Sequence, residues 1–377
     1  MTKEHASSDV AASLAVAPPA RAESLIDPIK IRGISLRSRI ALAPMCQYSA
    51  IDGQANDWHL VHLGSRAVGG AALVMAEATA VARIGRITPG DLGIWDDAHI
   101  APLARIARFI ESHGAVPGIQ LAHAGRKGTK DAPWRGSGLL PPNEGGWQVV
   151  GASPFPFDEK WATPTELDAR GIDGVVAAFE AAARRALAAG FKIIEIHSAH
   201  GYLFHQFLSP ISNRRNDDYG GSLENRARLL TRVVARIRAA IPNDMPLFVR
   251  ISATDWIDGE PSWDVDQSVA LARLVKGAGV DLIDTSSGGS ALRQKPQIGK
   301  AYQAPFARQI RAEAGIMTGA VGLITEPEQA NQLIAESYAD LVFIGRAFLR
   351  DPYWGLHAQQ ALGAKVHWPD QYGYAVG

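Results

Sequence analysis

Eight short apolar runs, each separated from the next by a stretch with helical spacing, constrain this chain more than any other feature. They are Ile40–Met45, Ala71–Ala78, Val116–His123, Lys192–His197, Leu247–Ser252, Asp281–Ser286, Ile316–Gly322 and Leu341–Arg346. Nearly continuous apolar runs are the mark of parallel strands buried on both faces, and such strands need a crossover, usually a helix, between them. The intervening stretches supply it. Ile172–Ala189 places Val175, Val176, Phe179, Ala183, Ala186 and Leu187 near one face, and Gly190 follows as a helix stop. In the segment 221–225, Ser222 is a natural N-cap for the next helix. Eight such units predict an α/β fold of one kind, a (β/α)8 TIM barrel, and 377 residues suit one barrel with insertions.

Three stretches fall outside the repeat. Residues 25–39 read as a short N-terminal hairpin that plugs the barrel bottom. Residues 124–170, after the third strand, carry Trp134, Trp147, Trp161 and many Gly and Pro. An insertion there lies over the C-terminal face, so it reads either as a capping lid or as an ordinary packed surface loop. Residues 1–24 are rich in Ala and Ser without a period, and read as a disordered extension ahead of a barrel spanning 25–377. The rival reading is a secretory signal, which the serines interrupt. Acidic and basic residues number 38 each, so no broad positive field points to nucleic acid or an anionic membrane. No apolar run reaches the roughly 18 residues of a membrane helix, and a cytoplasmic protein is expected. Cys46 is the only cysteine, which excludes an intrachain disulfide and any cysteine-only metal or iron–sulfur centre.

Polar residues gather where these strands end, the face from which barrel enzymes draw their catalytic groups. Cys46 and Tyr48 follow the first run, Glu77, Ala78 and Thr79 close the second, and Gln120 and His123 the third. His197, His200 and Tyr202 follow the fourth. Gly322 ends the seventh, and Gly345 with Arg346 the eighth. Loops after the last two strands commonly form a phosphate site, with glycine admitting main-chain N–H groups and arginine supplying a forked cation. Arg250, inside the apolar Phe248–Ile251, must be paired, either by an anionic ligand or by a structural carboxylate such as Glu195 or Asp284. His197 and His200 admit three readings. They are a metal pair (lacking the usual Glu or Cys partners), two structural histidines, or two donors to one carbonyl or nitro oxygen. Tyr202 stays protonated at neutral pH and can give a proton to a carbanion. Cys46 alone would be a buried structural thiol.

Longer motifs carry a resemblance. The segments 43–48 (APMCQY), 120–127 (QLAHAGRK), 195–203 (EIHSAHGYL), 218–226 (DYGGSLENR), 248–252 (FVRIS) and 343–346 (FIGR) are similar to the Old Yellow Enzyme family. Cys46 points to its thermophilic-like branch, which includes xenobiotic reductases. The resemblance implies an FMN-dependent NAD(P)H ene-reductase, with NADPH favoured, acting on enones, maleimides and nitroalkenes by ping-pong turnover. It implies that Ala43, Pro44, Met45, Cys46 and Ala78 line the flavin, and that Cys46 tunes its potential. Gln120 would bond its pyrimidine edge and Arg250 the edge that becomes negative, while Gly322, Gly345 and Arg346 hold the phosphate. His197 and His200 would bind the substrate oxygen, Tyr202 would donate the proton, and Tyr48 would position the substrate. No metal is implied, and a homodimer or homotetramer is. Two positions depart from the relatives: Val321 replaces a tryptophan, which should open the pocket, and Tyr374 replaces a C-terminal arginine that reaches a neighbouring subunit.

Overall fold

The computed structural model describes residues 22–375. A hairpin comes first, β1 (Ile29–Ile31) and β2 (Ile34–Leu36). Barrel strands β3 (Ile40–Leu42), β4 (Leu73–Ala80) and β5 (Val116–Ala122) follow, joined by α1 (Asp57–Val68) and α2 (Ile100–Ser112). The insertion contributes the short parallel pair β6 (Val150–Gly151) and β7 (Thr165–Glu166), then α3 (Ala169–Ala188). Next are β8 (Ile193–Ser198), α4 (Leu203–Leu208), α5 (Leu223–Ala240), β9 (Leu247–Ser252), α6 (Val265–Gly277) and β10 (Leu282–Ser286). The chain ends with α7 (Ala304–Ala314), β11 (Met317–Ala320), α8 (Pro327–Ala335), β12 (Leu341–Ile344), α9 (Arg346–Arg350) and α10 (Trp354–Ala361). The eight strands β3, β4, β5 and β8 to β12 close into a parallel barrel. Each expected run is one of these strands, with ends shifted by up to three residues.

Local chemistry sets the helix ends. The Ser222 side chain accepts the Asn225 N–H at 3.3 Å and caps α5 as expected. The helix expected over 172–189 instead starts at Ala169, because the Asp168 carboxylate accepts the Gly171 N–H at 2.7 Å and so fixes the first turn earlier.

Two apolar layers hold the barrel. One lies between strands and helices, and the other fills the interior with Ala41, Leu73, Met75, Ile193, Phe248, Leu282, Leu341 and Phe343. Ile31 and Leu36 of the hairpin join the inner layer, and the Gly33 N–H donates to the Asp244 carbonyl at 2.9 Å, so the hairpin closes the bottom. Burying each of the two phenylalanines contributes roughly 1.5–3 kcal/mol. Of the stretch expected to be disordered, 1–24, residues 1–21 lie outside the described residues and only the last three are described. Of these, Glu23 pairs with Arg39 at 2.7 Å and the Ser24 hydroxyl donates to Asn331 at 2.8 Å. Among the described residues no helix is long and apolar enough to cross a membrane.

The insertion is fastened across the top of the barrel. The Arg126 guanidinium donates to the carbonyls of Phe155, Pro156 and, at 2.8 Å, Ser290, while the Trp147 indole donates to the Ile84 carbonyl.

Candidate active site

A cavity of 260 Å³ opens at the C-terminal ends of β3, β9, β11 and β12. It brings together Ala43, Pro44, Met45, Arg250, Gly322, Gly345 and Arg346, residues scattered over three hundred positions of sequence. Val321 and Phe343 add apolar wall, and Arg350, which sequence reasoning missed, adds a second guanidinium beside Arg346. The donor set fits FMN. Arg346 and Arg350 with the main chain of Gly322 and Gly345 suit a phosphate, and Ala43, Pro44, Met45 and Val321 suit a flat ring. Arg250 suits a ring edge that gains negative charge.

Arg250 also has the structural partner that the sequence left open. Its Nε lies 3.2 Å from Asp284 Oδ2, both side chains being buried. Register explains the meeting, since Arg250 and Asp284 are direct neighbours across β9 and β10. Glu195, on β8, is fully buried and accepts from the Gln120 amide at 2.7 Å. Burial, then the nearby Asp284 charge, pushes the Glu195 carboxyl up to about 8, and burial raises Asp284 to about 6. Gln120 and Ala78 are register neighbours across β4 and β5, at a bulge that sets Glu77 apart from the ladder. Glu77 Oε1 accepts the Gln47 N–H at 3.0 Å and so tethers the loop carrying Cys46 and Tyr48.

A second cavity, of 240 Å³, is lined by Tyr48, Tyr202 and Lys127 together with Pro133, Ser137 and Trp161 of the insertion. Trp134 stands 6.0 Å from the Tyr48 ring. Beside it, His197 is edge-on to both His200 (5.1 Å) and Tyr202 (4.9 Å). His197 Nε2 and His200 Nδ1 face each other at 3.4 Å. Burial, and then the charge of Arg250, holds both imidazoles well below the usual histidine range, so both are neutral. Burial pushes the Tyr202 hydroxyl well above its ordinary value, and it stays protonated. The Cys46 thiol is pushed up by burial and by the Asp91 and Glu77 carboxyls, so it is a thiol and not a thiolate.

The loop that carries these groups is tightly constrained. His200 and Gly201 both take left-handed backbone, φ 58° and 73°. A Cβ on Gly201 would sit 2.1 Å from the Gly289 carbonyl oxygen, so only glycine fits. Lys127 donates to the carbonyls of His200 (2.8 Å) and Gly289 (3.0 Å), bridging the loops after β8 and β10. Burial and the adjacent Arg126 lower its ammonium to about 7. Lys127 sits in the 120–127 motif, and that motif was the one sequence signal for it. Tyr374, by contrast, is 94% exposed. Among the described residues no three His, Cys, Asp or Glu side chains are grouped so as to hold a metal ion.

Two guanidinium groups beside glycine main chain, an apolar wall and a pair of neutral imidazoles meet at one barrel mouth, as suits an FMN-dependent oxidoreductase on a TIM barrel. Residues 24–364 match the NADH:flavin oxidoreductase / NADH oxidase family, and the chain belongs to it. It is 45% identical over 353 residues to an NADPH dehydrogenase of Listeria innocua, covering 93% of this chain and 98% of that one. With an NADPH dehydrogenase of a Geobacillus species the identity is 46% over 350 residues, covering 92% and 97%. Among solved structures it resembles an old yellow enzyme homologue from Zymomonas mobilis, with 26% identity, 92% and 94% coverage and a TM-score of 0.74. It also resembles 2-naphthoyl-CoA reductase (25% identity, TM-score 0.80), covering 90% of this chain but only 52% of that longer one.

Proposed function

We propose that this enzyme is an NADPH-dependent ene-reductase that reduces the C=C bond of activated alkenes such as enones, maleimides and nitroalkenes. The observation that carries the reading is the neutral His197–His200 pair, whose facing nitrogens lie 3.4 Å apart beside a protonated Tyr202. Both imidazoles can turn an N–H toward one substrate oxygen and stabilise the charge that builds there. Tyr202 gives its phenolic proton to the α-carbon, and its raised hydroxyl keeps that proton until a carbanion develops. Tyr48 and the insertion wall orient the alkene. FMN, when bound, supplies the hydride chemistry between nicotinamide and alkene, which take turns in one site. Gly322, Gly345 and Arg346 would hold its phosphate, Ala43, Pro44, Met45, Cys46 and Ala78 would line its ring, and Gln120 and Arg250 would flank its polar edges. Residues 124–170 serve as a cap over the mouth, and the enzyme works as a homodimer or homotetramer.

The test is a double substitution, His197→Ala with His200→Ala, compared with Tyr202→Phe. The first should abolish enone binding to oxidised, FMN-loaded enzyme while flavin stays bound. The second should slow anaerobic alkene reduction and spare flavin reduction by NADPH. Retained enone affinity in the first, or equal slowing of both half-reactions in the second, would reject the assigned roles.

A further inference from the structure

Beneath the substrate loop lies a fully buried polar pair that the proposed chemistry does not use. His205, on α4, accepts the Gly201 N–H on Nδ1 at 2.9 Å. Its Nε2 lies 3.1 Å from Asp255 Oδ1, an ion-pair distance without hydrogen-bond alignment, and neither atom has a hydrogen-bond partner elsewhere. The other carboxylate oxygen, Oδ2, accepts from the Ser209 hydroxyl at 2.6 Å and from the Trp263 N–H at 2.9 Å. Hydrogen accounting then fixes every proton. Because Nδ1 accepts an N–H it carries no hydrogen, so the one hydrogen of a neutral His205 ring lies on Nε2, the nitrogen 3.1 Å from the Asp255 carboxylate.

We propose that Asp255 and His205 are positioning residues for catalysis: Asp255 sets the His205 tautomer, and that tautomer holds the Gly201 N–H and thereby the placement of His200 and Tyr202. The proposal rests on the reading of His200 and Tyr202 given above. The loop needs such a hold, because His200, a non-glycine residue in left-handed backbone, costs free energy that surrounding contacts must offset. Its other main-chain groups are tied by different residues: the His200 N–H donates to Ser252, and the Gln206 amide donates to the Gly201 carbonyl. The Gly201 N–H depends on His205 alone.

Asp255→Asn tests this with almost no change of shape. Ser209 and Trp263 both donate to the Oδ2 position, so the asparagine must place its oxygen there and turn its NH2 toward His205. His205 then has to accept on Nε2 and carry its hydrogen on Nδ1, where it collides with the Gly201 N–H. The expected result, by 15N NMR of histidine-labelled holoenzyme, is a His205 signature that moves from the Nε2–H to the Nδ1–H form. Cyclohex-2-enone, titrated into the oxidised holoenzyme, should bind about tenfold more weakly, the effect of one lost hydrogen bond to the loop, while FMN stays bound. Adding His205→Asn to Asp255→Asn leaves an oxygen acceptor for the Gly201 N–H and no ring to flip, and should restore the affinity. An unchanged tautomer, or a changed tautomer with wild-type enone affinity, overturns the proposal. So does failure of the double variant to recover affinity, including the case in which the single variant does not fold. Enone affinity untouched by His200→Ala would instead sink the reading of the site on which the proposal stands.

Discussion

Glu195 provides a quantitative handle on the cluster behind the 260 Å³ cavity. It is fully buried, one oxygen accepts from Gln120, and the other has no hydrogen-bond partner. Burial holds its carboxyl up to about 8 against an ordinary 4.5. The folded state therefore binds this proton more tightly than the unfolded chain does, and stability falls as pH rises from 4.5 through 8. Integrating between pH 6 and pH 8 gives a loss of about 2 kcal/mol from this group alone. Glu77, raised by burial to about 8, adds a similar loss. Lys127, lowered by burial to about 7, works in the opposite sense, because its folded form binds fewer protons than the unfolded one over this range. The net slope mixes these effects, but the difference between wild type and Glu195→Gln isolates one of them.

Glutamine keeps the acceptor for Gln120 and cannot ionise. Between pH 6 and pH 8 the Glu195→Gln holoenzyme should therefore lose about 2 kcal/mol less stability than wild type. Urea unfolding at pH 6, 7 and 8, followed by circular dichroism, measures it. Parallel pH dependences would mean that Glu195 is already ionised at pH 6 and that Arg250 balances two carboxylates. With Glu195 protonated, Arg250 faces the single charge of Asp284 and the cluster is neutral, so FMN affinity at pH 7 should not change in the variant.

Two further outcomes follow from the geometry. Gly201→Ala drives a Cβ into the Gly289 carbonyl and should destabilise the fold by about 1–3 kcal/mol. Enone affinity should fall with it, and thermal unfolding alongside enone titration checks both. Replacing Arg346 and Arg350 together by alanine should weaken FMN by more than about tenfold and leave riboflavin, which lacks the phosphate, unchanged. Equal weakening of both flavins would mean that these arginines do not serve a phosphate.

How much of this was legible in the chain follows from the range of the interactions. Strand positions could be read because a strand buried on both faces must be apolar along its whole length, as Leu247–Ser252 and Leu341–Ile344 are. In a parallel barrel all strands end at one rim, so locating them also gathers Tyr48, Gln120, His197 and Gly322 there without any knowledge of side-chain contacts. Pairings between strands were not legible to the same degree. Arg250 could be seen to need an anion, but whether Asp284 or a ligand met the need depended on a register that links positions 34 residues apart. The hold on Gly201 was less visible still. His205 lies one helical turn away and Asp255 fifty residues further on, and both look in sequence like ordinary polar residues next to more conspicuous ones. Sequence thus exposes the groups proposed to touch substrate, because polar residues at strand ends are conspicuous. The groups that fix those side chains in place are buried behind them, and only their hydrogen-bond partners distinguish them from the rest of the core.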